Sequence, residues 1–150
     1  MKFADFYPGR IIQAGPYLLE QAEVLAFARA YDPQWFHTNV SAAASGPFGG
    51  LIASGWHTCS IAMRLIADAA LHQSEGYASP GVEQIRWPHP VRPGDRLTLT
   101  ATVIENRRST TKPERGIVRW RWQLHNQDAV EVLNLIATSF FDLKPAAQLG

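Results

Sequence analysis

The chain has little that would tie it to a membrane, to nucleic acid or to an oxidising compartment. Its single cysteine, Cys59, excludes an intrachain disulfide and is typical of proteins from a reducing cytoplasm. Charged residues make up only 18%, and a net charge of +1 gives no broad attraction to nucleic acid or anionic lipid. No segment is long and apolar enough to span a bilayer, and the N-terminal residues lack a signal-peptide stretch. We therefore expect a cytoplasmic protein.

The sequence also lacks internal repeats, low-complexity tracts and linkers. A length of 150 residues lies within the usual size of one folding unit. Hydrophobic residues make up 46%, which is typical of globular proteins and enough to form a core. These features predict a single domain over residues 1–150.

Two segments have the periodicity of helices. Residues 20–31 place apolar side chains on one face, and Pro33 ends this helix because a residue before proline is disfavoured in the helical region. Residues 55–71 are apolar on nearly every side of the helix, and Arg64 and Asp68 are the main charged exceptions. A helix of that kind needs protein on most of its sides, so we expect it at the centre of the molecule.

The second half of the chain has the alternation of β-strands. Apolar and polar residues alternate over 95–106 and over 116–126, whereas 129–143 is apolar on both faces. Consecutive strands joined by short turns must pair antiparallel, and residues 11–18 could add a weaker strand. The helix at 55–71 is apolar enough to cover their common face. The sequence therefore predicts an α+β domain in which an antiparallel sheet wraps around a long central helix.

An acid and an imidazole lie five residues apart in "YDPQWFH", residues 31–37. Asp32 and His37 stand on a proline-broken loop, and the glycine-rich run "GPFGGLIASG" follows at residues 46–55. A loop that only connected two helices would need neither the acid–imidazole pair nor so much glycine. Glycine lets backbone amides approach a ligand closely, and Gly55 begins the central helix at its positive end.

The order of these segments resembles that of the MaoC-like dehydratases, a hotdog-fold family that includes the (R)-specific enoyl-CoA hydratases. Three motifs carry the resemblance: "DPQWFH", "FGGLIASG" before the long helix, and "PVRPGD" before the strands. The hydratase motif of that family reads Asp-x-Asn-Pro-x-His, and Asp32 and His37 match its acid and its imidazole. Here the proline follows the acid directly, and Ser54-Gly55 stands where the family often has His-Gly.

The resemblance implies a hydro-lyase that reversibly hydrates a trans-2-enoyl thioester, enoyl-CoA foremost, to the (R)-3-hydroxyacyl thioester. In such a reaction Asp32 and His37 would hold one water between them as acid and base. The amide of Gly55, or of a close neighbour, would hold the carbonyl oxygen as it becomes enolate-like. The resemblance also implies no cofactor beyond the coenzyme A of the substrate, and at least a homodimer.

Further candidate substrate contacts surround the acid–imidazole motif. Trp35, Phe48 and Trp56 are aromatic, and each either fills the core or lines an acyl pocket. Gly50 belongs to the glycine-rich run that would face the thioester. Ser54 either caps the central helix, the reading we favour, or touches the substrate.

The other basic residues and histidines give weaker evidence for a role in binding or catalysis. Arg107 and Arg108 lie in a charged hairpin that either faces solvent or binds the phosphates of coenzyme A. For His57 we expect a packing role. The other histidines show no spacing to a partner, and no His-x-x-x-His pair with a nearby carboxylate predicts a metal site.

Two other functions remain open at this point. A hotdog thioesterase would use a carboxylate, usually from the central helix, to direct water to the carbonyl carbon, and Asp68 lies far from that helix's N-terminus. A non-catalytic acyl-binding hotdog protein would keep the pocket and lose the chemistry.

Overall fold

The computed structural model describes residues 1–145. Within these residues five strands form one sheet: β1 Ile11–Leu18, β2 Gly76–Arg86, β3 Arg96–Arg108, β4 Arg115–His125 and β5 Glu131–Asp142. The helices are α1 Gln21–Tyr31, α2 Trp35–Thr38, α3 Val40–Ala44 and α4 Gly55–Ile66, and α4 continues as a π-helical turn over Ala67–Leu71. A short 3-10 turn covers Phe3–Asp5.

All strand pairs are antiparallel, in the order β1-β3-β4-β5-β2. The central strand is β4, in which every second residue, from Gly116 through Trp120 to Leu124, is buried. The β5 strand lies between β4 and β2, so it is interior, and most of its residues are buried, as its two apolar faces predicted. The predicted antiparallel sheet is confirmed.

The α4 helix packs against one face of this sheet, on β1, β3 and β4. Ile61, Ala62 and Ile66 are buried, and the small alanine allows the helix to lie close to its neighbours. The predicted central helix is confirmed, although its last turn changes to π geometry. Trp56 and Met63 on the same helix stay exposed, so one stripe of α4 is not covered by this chain.

The β2 strand stands apart from the other strands in its burial. It forms one edge of the sheet, and all of its residues are exposed except the half-buried Ile85. Its pairing with β5 shifts register three times, whereas β4 pairs with β5 with one shift, at its end. Within residues 1–145, no helix has the length and apolar character that crossing a membrane requires.

Candidate active site

Asp32 and His37 lie side by side in the structure. The α1 helix ends at Tyr31, Asp32 takes the C-cap position with φ −150°, and the chain turns at Pro33. It then enters α2, so His37 stands on a short helix rather than on the open loop that we expected. His37 Nε2 is 3.2 Å from Asp32 Oδ2, and the two side chains are 6% and 16% exposed.

Two uncharged neighbours fix the carboxylate of Asp32. Gln34 Nε2 donates to Oδ1 at 2.7 Å, and Ser54 Oγ donates to Oδ2 at 2.7 Å. Burial by itself raises the pKa of Asp32, but these two hydrogen bonds and the nearby His37 outweigh it and lower the pKa below its ordinary value. The carboxylate is therefore held in its ionised form at neutral pH.

The imidazole of His37 is oriented from its other side. Its Nδ1 lies 2.7 Å from the carbonyl oxygen of Ile52, and a carbonyl only accepts, so Nδ1 carries the hydrogen. This leaves Nε2 facing the carboxylate. The Ile52 segment is itself tied down, because its own amide donates to Phe36 and the Ala53 amide donates to Val91.

Ser54 joins the acid to the start of α4. Its Oγ accepts from the Trp56 amide at 3.3 Å as an N-cap while it donates to Asp32. The serine is thus the helix cap that we favoured, and it also contacts the acid. A Cβ on Gly55, the first residue of the helix, would come within 2.5 Å of the Trp87 ring, so the ring's close approach requires glycine there.

A cavity of about 270 Å³ opens beside this arrangement. Its wall includes His37, Gly55, Phe48, Thr58 and Trp87. At 3.2 Å the acid and imidazole leave no room for a water on the line between them. A water shared by the two groups must therefore lie beside the pair, which corrects the expected placement between them.

A second cavity, of about 590 Å³, lies on the exposed stripe of α4. Trp56, Cys59 and Met63 line it from the helix, and Val82 and Ala137 line it from the sheet. Its lining is mainly apolar. Burial raises the pKa of the Cys59 thiol, so this group stays neutral in the cavity wall.

Trp87 lines the smaller cavity and contacts Trp56, which lines the larger one. Its ring packs on Gly55 and meets the Trp56 ring edge-on at 5.5 Å. We did not single out this tryptophan from the sequence, although it directly precedes the "PHPVRPGD" segment. His89, in that same segment, also lines the smaller cavity despite its lack of a partner spacing.

Some of the remaining predicted substrate contacts line a cavity and others do not. Trp56 lines the larger cavity and Phe48 the smaller one, whereas Trp35 is exposed and packs against Gly46. Gly50 lies next to the guanidinium of Arg92, a residue that we missed. That guanidinium also donates to the Phe48 carbonyl at 2.6 Å and so ties the glycine-rich run to the turn before β3.

The two predicted arginines lie away from the acid–imidazole pair. Arg107 pairs with Glu105 at 2.9 Å, and Arg108 donates to the Pro113 carbonyl at 3.0 Å. Neither lines the cavity that contains His37. In the part of the chain that the structure covers, no group of three or more potential ligands is placed to hold a metal ion.

The sheet packed on one long helix, with an acid–imidazole pair near that helix's N-terminus, is the architecture of the hotdog fold. The chain belongs to the MaoC-like dehydratase family, because the family described as "MaoC like domain" matches residues 6–120. Both the predicted family and the predicted hotdog fold are thus confirmed.

Individual relatives agree with this assignment. The crystal structure of the MaoC-like dehydratase from Rhodospirillum rubrum is 36% identical, with a TM-score of 0.86 over 95% of this chain and 97% of that one. The 3-hydroxyacyl-thioester dehydratase Z of Mycobacterium tuberculosis is 35% identical over 95 residues, which are 57% of this chain and 58% of that protein. The (R)-hydratase from A. caviae shares the fold. Its structure has a TM-score of 0.72 over 89% of this chain and 95% of that one, and the two sequences are 22% identical. Family membership supports a hydratase or dehydratase role.

Proposed function

We propose that the protein catalyses the reversible hydration of a trans-2-enoyl thioester, an enoyl-CoA foremost, to the (R)-3-hydroxyacyl thioester. The observation that carries this proposal is the 3.2 Å contact between His37 and Asp32, which Ser54 ties to the N-terminus of α4. The (R) configuration rests on the family resemblance. A named relative in the same family is a 3-hydroxyacyl-thioester dehydratase, which supports the same class of substrate.

Hydration needs one water and one proton relay. A water beside the acid–imidazole pair donates to the ionised Asp32, and its oxygen adds to the β carbon as its O–H bond breaks. The pair takes up that proton and returns a proton to the α carbon on the same face of the double bond. Since the Nδ1 hydrogen of His37 is held by Ile52, Nε2 is the ring atom that takes part.

The thioester carbonyl would point at the start of α4. Within the described residues the Trp56 amide donates to Ser54 Oγ, whereas the Gly55 amide has no acceptor. A free N–H at the positive end of a helix suits an oxygen that gains negative charge in the transition state. Loss of one such donor typically costs about 3 kcal/mol of transition-state stabilisation.

The acyl tail would occupy the larger apolar cavity, and Trp87 would lie beside the point where the tail passes from the smaller one. The thioester itself makes the α carbon acidic, and the chain supplies acid, base and hydrogen-bond donor. We therefore propose that the reaction needs no cofactor apart from the coenzyme A of its substrate.

The sheet edge supports a homodimer. The exposed β2 strand offers unpaired backbone groups, and the exposed stripe of α4 lies open beside it. We propose that a second copy of the chain covers this side.

The thioesterase alternative finds less support. A thioesterase of this fold would usually use a carboxylate carried by α4 itself, but residues 55–66 contain none. Asp68 lies beyond them, is exposed and pairs with Arg64 at 2.7 Å.

Absorbance decides between these functions. With crotonyl-CoA and no added metal or cofactor, we expect loss of the conjugated enoyl band without release of free thiol. Asp32→Asn and His37→Ala should each lower kcat by at least about 100-fold, because both groups move protons in the transition state. Asp68→Asn, which alters an exposed carboxylate on the last turn after α4, is the control. Thiol release would identify a thioesterase, and absence of both signals over a range of chain lengths would indicate a binding protein.

A further inference from the structure

A second acid–imidazole contact lies next to the candidate active site. His57, two residues after Gly55, places Nε2 3.1 Å from Glu23 Oε1 on α1. The same carboxylate oxygen accepts a hydrogen bond from the hydroxyl of Tyr17 on β1, at 2.5 Å. This Tyr17–Glu23–His57 cluster therefore joins α4, α1 and β1 through one oxygen atom. The sequence suggested only a packing role for the histidine.

The contacts of the cluster hold the His57 ring in one orientation. Because the carboxylate accepts, His57 Nε2 carries the hydrogen, and Nδ1 is buried without a partner among the described residues. The imidazole stacks on the Phe27 ring at 4.5 Å and 5° between planes, which fixes the plane of the ring. The hydrogen bond from Tyr17 to Glu23 also raises the pKa of Tyr17 to about 12, so the phenol remains a donor across the physiological range.

The cluster does not touch the space where a substrate would bind. None of its three residues lines the smaller or the larger cavity. We therefore assign the cluster no direct catalytic role, and its effect on the reaction would pass through the two helices that it connects.

Those two helices carry the reacting groups. The C-cap of α1 is Asp32, and the first turn of α4 begins with Gly55. Besides the cluster, the contact of Ser54 with Asp32 links the same two helices. One polar link lets a helix pivot about it, whereas two links at different places along α1 fix the angle between the helices.

We propose that the Tyr17–Glu23–His57 cluster is a positioning device that sets the placement of the Asp32 carboxylate relative to the Gly55 amide. Its effect on rate rests on the proposed function. A misplacement of about 1 Å between reacting groups costs on the order of 100-fold in rate, so loss of this link has a measurable kinetic consequence.

Glu23→Ala is the primary test. We expect kcat for enoyl thioester hydration to fall by about 10-fold or more with KM within about twofold, since the acyl and coenzyme A contacts remain. Glu23→Gln keeps an oxygen that accepts from both Tyr17 and His57, and should retain activity within about threefold. Tyr17→Phe, which deletes a single hydroxyl, should give a smaller loss and provides a milder variant if Glu23→Ala folds poorly. Asp68→Ala, which removes another carboxylate partnered to α4, is the matched control.

A cluster that only stabilises the fold would give a different set of kcat losses in single and double variants. If the cluster acts through Asp32, Glu23→Ala should cost little more in an Asp32→Asn background, because the group being positioned is already lost. Additive losses, or a fall in kcat that Glu23→Gln shares, would overturn the proposal.

A second readout does not need activity. The crystal structure of Glu23→Ala, or of Tyr17→Phe, should show a changed distance between Asp32 Oδ2 and the Gly55 amide relative to the unmodified protein. An unchanged distance overturns the positioning role. Inactivity of the unmodified protein on every enoyl thioester would instead overturn the proposed function, and this distance alone would then decide the role of the cluster.

Discussion

At the scale of single residues, the protein controls one carboxylate with three different partners. Asp32 contacts an amide from its own turn, a hydroxyl from the N-cap of α4 and an imidazole from α2. The imidazole could be found from sequence because an acid and a histidine around a proline form a recognisable pattern. Gln34 has no such signal, and Ser54 was predicted as a helix cap but not as a partner of the acid, because polar residues are common in loops and helix caps.

The pKa of Asp32 leads to a prediction about acidity. Because the folded pKa is lowered, the acid remains ionised below the ordinary aspartate value of about 3.9, and the stability that its hydrogen bonds contribute is lost as pH falls through the lowered pKa. Gln34→Leu removes one of the hydrogen bonds that lower it. We expect the acid limb of the kcat/KM profile to move to higher pH in this variant.

The control for that profile is Thr38→Val. Thr38 donates to the Gln34 carbonyl and does not reach the carboxylate, so its removal leaves the limb in place. If the limb stays unmoved in Gln34→Leu as well, the hydrogen bond does not set the ionisation of Asp32.

At the scale of elements, sequence periodicity was sufficient for α4 and for strands β3 to β5, and it failed for the short helices. The α4 helix and strands β3 to β5 were predicted because each repeats its pattern over ten residues or more. The α2 and α3 helices have four and five residues, too few to show a helical period, so His37 was assigned to a loop. The junction of α4 with Trp87 was also missed, because contacts between distant segments leave no local pattern.

The packing of Trp87 on Gly55 predicts the effect of one added methyl group. A Cβ at residue 55 would meet three atoms of the indole ring at 2.5 to 2.8 Å, which is closer than non-bonded carbons approach. Gly55→Ala should therefore destabilise the fold by about 1–3 kcal/mol, as overpacking does, and shift the tryptophan fluorescence. Chemical denaturation measures the change.

Two further variants isolate the clash. Gly50→Ala is the control, because its Cβ would meet only the far end of the Arg92 side chain. Trp87→Leu combined with Gly55→Ala should recover part of the loss relative to Trp87→Leu alone. Equal losses in both backgrounds would show that the ring is not the cause.

At the scale of the whole molecule, the larger cavity is the space that we propose for the acyl chain. Met63 projects from α4 into its wall, opposite residues of β5. Met63→Trp should reduce kcat/KM for long enoyl-CoA substrates by more than about 10-fold while crotonyl-CoA is little affected, since a four-carbon chain does not reach the blocked part. Equal losses at all chain lengths would place the acyl tail elsewhere.

The two edges of the sheet differ, and this difference predicts how the protein assembles. Both β1 and β2 are edge strands, but β2 alone borders the large open cavity and the exposed stripe of α4. Val82 on β2 is 47% exposed and Ile11 on β1 is 57% exposed, so a lysine at either position disturbs little within one chain. A charge on an edge strand opposes pairing with a second chain.

Sedimentation velocity of the two lysine variants tests which edge is used. We expect the unmodified protein at twice its chain mass of 16.7 kDa. Val82→Lys should convert it to a monomer, because a second copy would have to bury that charge beside the apolar cavity. Ile11→Lys, matched in chemistry and exposure but on the other edge, should remain a dimer. A monomeric unmodified protein, or a dimer lost only through Ile11→Lys, would rule out assembly through β2, and the open side of α4 would then need a different explanation.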